Sequence, residues 1–309
     1  MQRLTIVFVF ICITLTGCSR TPKSQAHYRV MSMLKTGEYE AALQDVDRRL
    51  QREPHKRALL EDRLILLLAN ENPQSRVEIL KVQRQLDAFG EGRQLLLEQS
   101  SSTLPRIRQQ TAFALGELRE SSSMEVLKDL AEDNDPEVRA EAIHALGKLA
   151  RPEAKNILMI RLRDGYWKVR AEAADALASI GDTTASAQLF RAADDHDDYA
   201  RMHILGSLLT LAHTNETPLY FQQIASDNLA RKTAAALVLG KLGRQEALPV
   251  LIELLQDKNN PERVQIAQIL IGLRPVSAGG SLESFLKNEQ NPRVKALLMD
   301  YLQRKTNGV

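Results

Sequence analysis

The sequence predicts an all-α chain that is, for most of its length, a solenoid of stacked helix pairs. Three observations carry this expectation. First, an arginine and its surroundings recur at a nearly fixed step: Arg108, Arg139, Arg170, Arg201 and Arg231, then Val264 and Lys295, separated by 31, 31, 31, 30, 33 and 31 residues. A period of that size marks repeats that each bury an apolar face on the next. Second, apolar residues within each unit fall on one helical face, as Val138, Ala142, Ala145, Leu146 and Leu149 do. Third, each unit carries helix-start chemistry at its middle, clearest in Asp133-Asn134-Asp135-Pro136.

A single unit reads as a short apolar helix (Met124 to Glu132, or Glu246 to Gln256), a polar turn, and a longer second helix. Asp135 is placed to cap the second helix, because its carboxylate can accept free N–H groups of the first turn. Pro136 at the first helical position gives up only an N–H that had no partner. Ala142, Ala145 and Gly147 keep the helix slim, so neighbouring helices can approach closely. Aromatic residues make up 5% of the 309, which suits thin helix pairs better than a thick globular core.

In chain order, residues 1–17 come first. Arg3 supplies a positive start and Leu4 to Thr16 an apolar run too short to span a membrane comfortably, the pattern of a signal peptide. The run ends in Leu15-Thr16-Gly17-Cys18, which resembles the bacterial lipobox. That resemblance implies cleavage between Gly17 and Cys18, a diacylglycerol on the Cys18 sulfur, and further acylation, with palmitate, that holds the chain to a bilayer. Ser19, where an Asp would signal retention in the inner membrane, implies the periplasmic face of an outer membrane. Cys12 and Cys18 are the only cysteines, so the mature chain offers no thiol for catalysis, disulfide or metal. Residues 18–25 are a polar tether.

Residues 26–90 are expected to be helical. Gly37, Tyr39, Ala42 and Pro54 are spaced like the second half of a tetratricopeptide repeat, although Arg49 stands where that repeat has a small residue. Helices are predicted at Lys56 to Ala69 and Ser75 to Phe89, split by Asn70-Glu71-Asn72-Pro73.

Residues 91–305 hold the array. The strings VRAEAIHALGKL from Val138, VRAEAADALASI from Val169 and ARKTAAALVLGKL from Ala230 resemble the HEAT repeat, in the short form of phycobilisome-lyase-like proteins. The resemblance implies a right-handed superhelix of about seven pairs with the second helices lining its concave side. It also implies an Asp six residues before each Arg, bonded from repeat to repeat. Asp133, Asp164 and Asp195 stand there for Arg139, Arg170 and Arg201, and Glu289 for Lys295, with Arg108 and Arg231 completing the row. Ala225 and Lys258 depart, so a break is expected around repeats five and six. Unpaired, such arginines would form an anion-binding stripe; paired, they form an internal ladder, which is what partly buried charges usually do.

The chemistry of known sites is missing. Lys+Arg 41 against Asp+Glu 39 gives a net charge of +2 with no basic patch, which argues against nucleic acid. There is no HExxH, P-loop, GxGxxG or GxSxG. Iron-binding relatives of the repeat, the deoxyhypusine hydroxylases, carry His-Glu pairs; this chain has no such dipeptide. Asp194-Asp195-His196-Asp197-Asp198 looks like a metal cluster, but the repeat register assigns Asp195 to the ladder and Asp197 to a cap. No catalytic residue, metal site or cofactor is therefore expected.

What remains is surface. The facing positions of the second helices include Glu141, His144 and Lys148, then Glu172 and Asp175, then His203, then Lys232 and Lys241. Tyr166 and Trp167, at the turn into a second helix, are the residue types enriched in binding hot spots. The expected function is a non-catalytic protein scaffold or assembly factor, lipid-anchored in the cell envelope, with a protein partner on the concave face. An enzyme or enzyme accessory of the lyase-like repeat group is the alternative.

Overall fold

The computed structural model describes residues 30, 32–34, 36–88, 90, 92–273 and 279–306. The signal peptide, Gly17, Cys18 and the tether lie outside them. All regular structure among the described residues is helical, and no helix there is long and apolar enough to cross a membrane. The chain divides into two compact units, Met1–Leu95 and Leu96–Val309.

The first unit contains α1 (Tyr39–Arg52), α2 (Arg57–Ala69) and α3 (Ser75–Asp87). Gly37, at φ +78°, turns the chain into α1. Leu59, Leu60 and the whole run Leu64 to Leu68 are buried, so α2 is apolar around most of its circumference and forms the centre. Ala42 and Val46 of α1, and Ile79, Val82 and Leu86 of α3, complete the core. Arg63 of α2 ties both neighbours, donating from Nε to Asp47 at 2.7 Å and from Nη2 to Glu78 at 3.2 Å.

Among the described residues, seven helix pairs follow. The first helices are α4 (Gly92–Gln99, across the division), α6 (Met124–Leu130), α8 (Lys155–Arg161), α10 (Ser186–Ala192), α12 (Thr217–Gln223), α14 (Leu248–Gln256) and α16 (Gly279–Asn288). The second helices are α5 (Pro105–Leu118), α7 (Pro136–Leu149), α9 (Trp167–Ile180), α11 (Asp198–Leu211), α13 (Leu229–Lys241), α15 (Arg263–Gly272) and α17 (Pro292–Thr306). This is an α-solenoid. The helix α14 starts at Leu248 and not at Glu246 because a 3₁₀ turn, Gln245–Ala247, precedes it, and α6 ends at Leu130, two residues before Glu132.

The second helices pack directly on one another, whereas the first helices pack mainly on second helices. Small residues set that closeness. A Cβ on Gly116 would lie 2.7 Å from the Ala145 Cβ, and one on Gly147 3.0 Å from the Ala176 Cα. The third residue of the second helix anchors the first turn in five of the seven pairs: Ile107, Val138, Val169, Ala200 and Val294 are all buried there.

The turns between the helices of a pair carry the ladder. Arg108 grips Asp133 with two bonds of 2.6 and 2.7 Å. Arg139 grips Asp164 at 2.9 and 2.8 Å, and Arg170 grips Asp195 at 2.6 and 2.7 Å. The third guanidinium nitrogen of each donates to a backbone carbonyl of its own turn, at Ser102, Asp133 and Asp164. Each aspartate also accepts the backbone N–H two residues on, from Asp135, Tyr166 and Asp197. One carboxylate thus shapes its turn and joins two repeats. Burial pushes these three carboxyls up, but the guanidinium and backbone N–H bonds outweigh it and hold each below the ordinary aspartate value.

The ladder stops at repeat five, and the register there differs from the sequence reading. Asn228 caps α13 by accepting the N–H of Arg231, as Asp135 accepts that of Val138. Arg231 therefore occupies the third helical position, and Lys232 is the counterpart of Arg201. Ser226, not Ala225, is the counterpart of Asp195; it still accepts the N–H of Asn228 at 3.2 Å but offers no carboxylate. Arg201 turns instead to Asp198 at 2.6 Å and Glu262 at 3.1 Å, and Arg231 reaches back to Asp194 at 2.8 Å. A buried pair resumes further on, where Arg263 rather than position 264 donates to both oxygens of Glu289. Arg263 reaches it from the first residue of α15.

Candidate functional site

The candidate residues lie on the second helices α7, α9 and α11. Asp135 and Asp197 cap α7 and α11 through their carboxylates. Tyr166 is the cap residue of α9 and makes no side-chain cap bond, which leaves its phenol available elsewhere. Along each helix, positions spaced by four, three and four residues share one face. On α7 these are Glu137, Glu141, His144 and Lys148; on α9, Lys168, Glu172 and Asp175; on α11, Tyr199 and His203.

The structure bonds these rows across the helices. Glu137 accepts from the Tyr166 hydroxyl at 2.6 Å and from Lys168 at 2.7 Å. His144 Nδ1 lies 2.9 Å from Glu172, and His203 Nδ1 lies 2.6 Å from Asp175. Asp175 also accepts from Ser207 at 3.0 Å. Lys148 bonds Glu117 on α5 and lies over the Phe113 ring, 5.7 Å from its centroid. The two acids of α9 thus hold a histidine from the helix on either side. The Glu172 carboxylate beside His144 holds that imidazole above the usual histidine range, against the opposing effect of its burial. Beside this row lies a hollow of about 440 Å³ lined by Arg119, Lys148, His144, Glu172, Asp175 and Ser179.

At one end of the face the aromatic rings gather. Trp167 meets Tyr199 edge-on with centroids 5.0 Å apart, and Tyr166 lies 5.7 Å from Trp167. Tyr199 in turn lies 4.5 Å from His203. Tyr199 and Met202 are each 51% exposed, while Trp167 is half-buried, so the cluster is anchored on one side and open on the other. Such pairs add attraction beyond the area they bury.

Of the residues singled out from sequence, the structure brings together Tyr166, Trp167, His144, Glu172, Asp175 and His203. Glu141 is half-buried on the same face. Lys232 lies elsewhere, donating to Glu253 of α14 at 2.7 Å. Sequence reading missed Tyr199, Met202 and the Glu137 junction. A signal for Tyr199 was present, since it stands 31 residues after Lys168 and therefore beside Trp167 on the next helix.

The acidic run at 194–198 is fully engaged. Asp194 pairs with Arg231, Asp195 with Arg170, Asp198 with Arg201, and Asp197 caps α11. No group of three or more His, Cys, Asp or Glu among the described residues could hold a metal.

Comparisons with known proteins agree on the architecture. No curated protein matches the sequence. The solved structure of YibA from Escherichia coli aligns at TM-score 0.54 and 21% identity, over 79% of this chain and 92% of that one. Kap95, in its complex with Nup1, aligns at TM-score 0.55 and 14% identity, over 90% of this chain and 45% of that one. The CpcE–CpcF complex of phycocyanin lyase from Nostoc aligns over 68% of this chain and 93% of that one, at 20% identity and TM-score 0.42. The first two likenesses show the fold. Matches to a family described as HEAT repeats run over residues 93–166 and 158–220, and a match to the PBS lyase HEAT-like repeat runs over 232–257, so the chain carries HEAT repeats.

Proposed function

We propose that this chain is a non-catalytic protein-binding scaffold that uses the inner face of α7, α9 and α11. It is held by a lipid on Cys18 at the periplasmic face of an outer membrane, and residues 26–90 form a tetratricopeptide-like entry to the array. The observation that carries the binding role is the aromatic edge of Trp167 and Tyr199, set beside a row of side chains that neighbouring helices already hold in place. Side chains immobilised before a partner arrives lose little entropy on binding, and Trp and Tyr anchors dominate interface energies. Kap95 is solved with Nup1, so partner binding has precedent on this fold. The non-catalytic reading draws on the titratable groups of the face: His144, His203, Glu172, Asp175 and Glu137 each already bond a neighbouring repeat.

The test is in-cell photo-crosslinking from Trp167, Tyr199 and Glu141, with Glu125 on α6 as the control on the other layer. One dominant protein captured from the three positions and not from Glu125 supports the scaffold. Equal, diffuse capture from all four refutes the inner-face reading. For the anchor, Cys18→Ala should leave an unlipidated precursor, and undiminished lipid labelling of that variant would refute it.

A further inference from the structure

Repeat five is the first to break two rules that repeats one to four keep; repeat six, with Gln265 and Asn260 at the same positions, departs from them as well. The third residue of its second helix is Arg231, where repeats one to four and repeat seven bury Ile107, Val138, Val169, Ala200 and Val294. A guanidinium cannot occupy that apolar slot without a partner, and the Arg231 side chain is 45% exposed. Asp227, Asn228 and Leu229 before it are exposed too, Leu229 by 45%. The first turn of α13 is therefore turned toward solvent instead of wedged among the second helices.

The second broken rule is the missing carboxylate at Ser226. Arg139 and Arg170 each pair with an acid 25 residues ahead, one repeat away. Arg201 pairs with Glu262, 61 residues ahead, and so passes over repeat five altogether. Both side chains are mostly buried, at 15% and 14% exposure. Arg231 makes the complementary link, back across the same junction to Asp194.

We infer that the junction of repeats four and five is a hinge, and that Arg201–Glu262 and Arg231–Asp194 are the electrostatic latch that closes it. Repeats one to four form one arm, fastened by three regular rungs. Repeats six and seven belong to the other, fastened by Arg263–Glu289. Between the arms, the apolar wedge and the bidentate rung are replaced by two ion pairs, of which Arg231–Asp194 is the more exposed to ionic strength or a competing charged partner. The second of these pairs is half-exposed. The partner-binding helices α7 to α11 lie wholly in the first arm, so opening moves the second arm relative to that face.

The test uses the full-length chain with spin labels attached through an azido amino acid at Glu125 and Glu283, one on each arm, read by pulsed dipolar spectroscopy. The distance distribution should be narrow at low salt. Salt of about 1 M, where the Debye length is about 3 Å, should broaden it at least about twofold. Glu262→Lys should do the same at low salt. Asp164→Asn, which breaks a regular rung, should leave it narrow. Because Glu262→Lys could disturb folding, the decisive variant restores the rules: Ser226→Asp with Arg231→Val should stay narrow at every salt concentration. The inference is overturned if salt leaves the unaltered chain narrow, if Asp164→Asn broadens it equally, or if the restored chain remains as salt-sensitive as the original.

Discussion

Removing the central rung of the ladder should have a large and specific effect. Asp164 is almost fully buried, with its side chain 3% exposed, and Arg139 beside it is 16% exposed. The carboxylate accepts two bonds from Arg139, one from the Tyr166 backbone and one at 3.3 Å from Arg161. Asp164→Ala strips all four and strands the Arg139 guanidinium, which keeps only its bonds to the carbonyls of Asp133 and Asn134. Deleting one partner of a buried pair costs about 3–5 kcal/mol. Partial exposure of Arg139 and its remaining carbonyl bonds place this case at the low end, about 3 kcal/mol. Urea unfolding followed by far-UV circular dichroism would show this as a lower midpoint with an unchanged slope. The loss is attributed to the stranded charge, not to the pair's own strength. Asp164→Leu combined with Arg139→Met should therefore be more stable than Asp164→Ala alone. A loss under about 1 kcal/mol for Asp164→Ala, or a double variant that is less stable still, would refute the reasoning.

Three further outcomes follow from the geometry. Gly116→Ala should destabilise the array by about 1–3 kcal/mol, because its new Cβ would meet the Ala145 backbone at 2.9 Å and force α5 and α7 apart; urea midpoints check this. The His144 value is raised above its ordinary 6.5, so its contribution to stability is fully present below about that pH and is lost as pH rises through the higher folded value. An NMR titration of the imidazole should show this, and Glu172→Gln should bring the value down; no movement would count against the tie. Asp182 is held down to about 2 chiefly by Lys155, so its contribution is present above pH about 3.8 and lost as pH falls toward 2, and Lys155→Ala should raise its value in a carboxyl NMR titration.

The helix pairs and much of the ladder were legible in the sequence because they depend on local spacing. Asp133 shapes its own turn and Asp135 caps its own helix, so both roles are written within a few residues. The ladder acids repeat at the period of the array and need no knowledge of the packing. What the sequence concealed was register. Aligning on the arginine put Arg231 in the row, whereas the cap at Asn228 shows that its place belongs to Lys232. A shift of one residue is invisible to a period estimate when both neighbours are basic. The Arg263–Glu289 pair escaped notice for a related reason: its arginine sits at the first helical turn, not at the usual place. Arg201–Glu262 could not be foreseen, since it joins residues 61 apart, well off the period of the array. Trp167 was found by residue type, but the exposed edge it shares with Tyr199 exists only once two helices are set side by side.

The gap in the ladder also governs how the array comes apart. In a stacked chain each repeat is marginal alone and draws its stability from coupling to its neighbours. Where the coupling is uniform, unfolding begins at the ends and spreads as one transition. Here the regular rungs end at an interior junction, so the array contains an internal end. Repeats one to four share three bidentate bonds and an unbroken row of buried anchors, and constitute one cooperative block. The repeats beyond α13 constitute another, smaller and less tightly bound to the first. Amide exchange in the second block should then reflect a lower opening free energy than in the first, with the step between the two levels falling within α13. With the proposed hinge, a serine in place of an aspartate would divide one array into two folding units with no linker inserted between them.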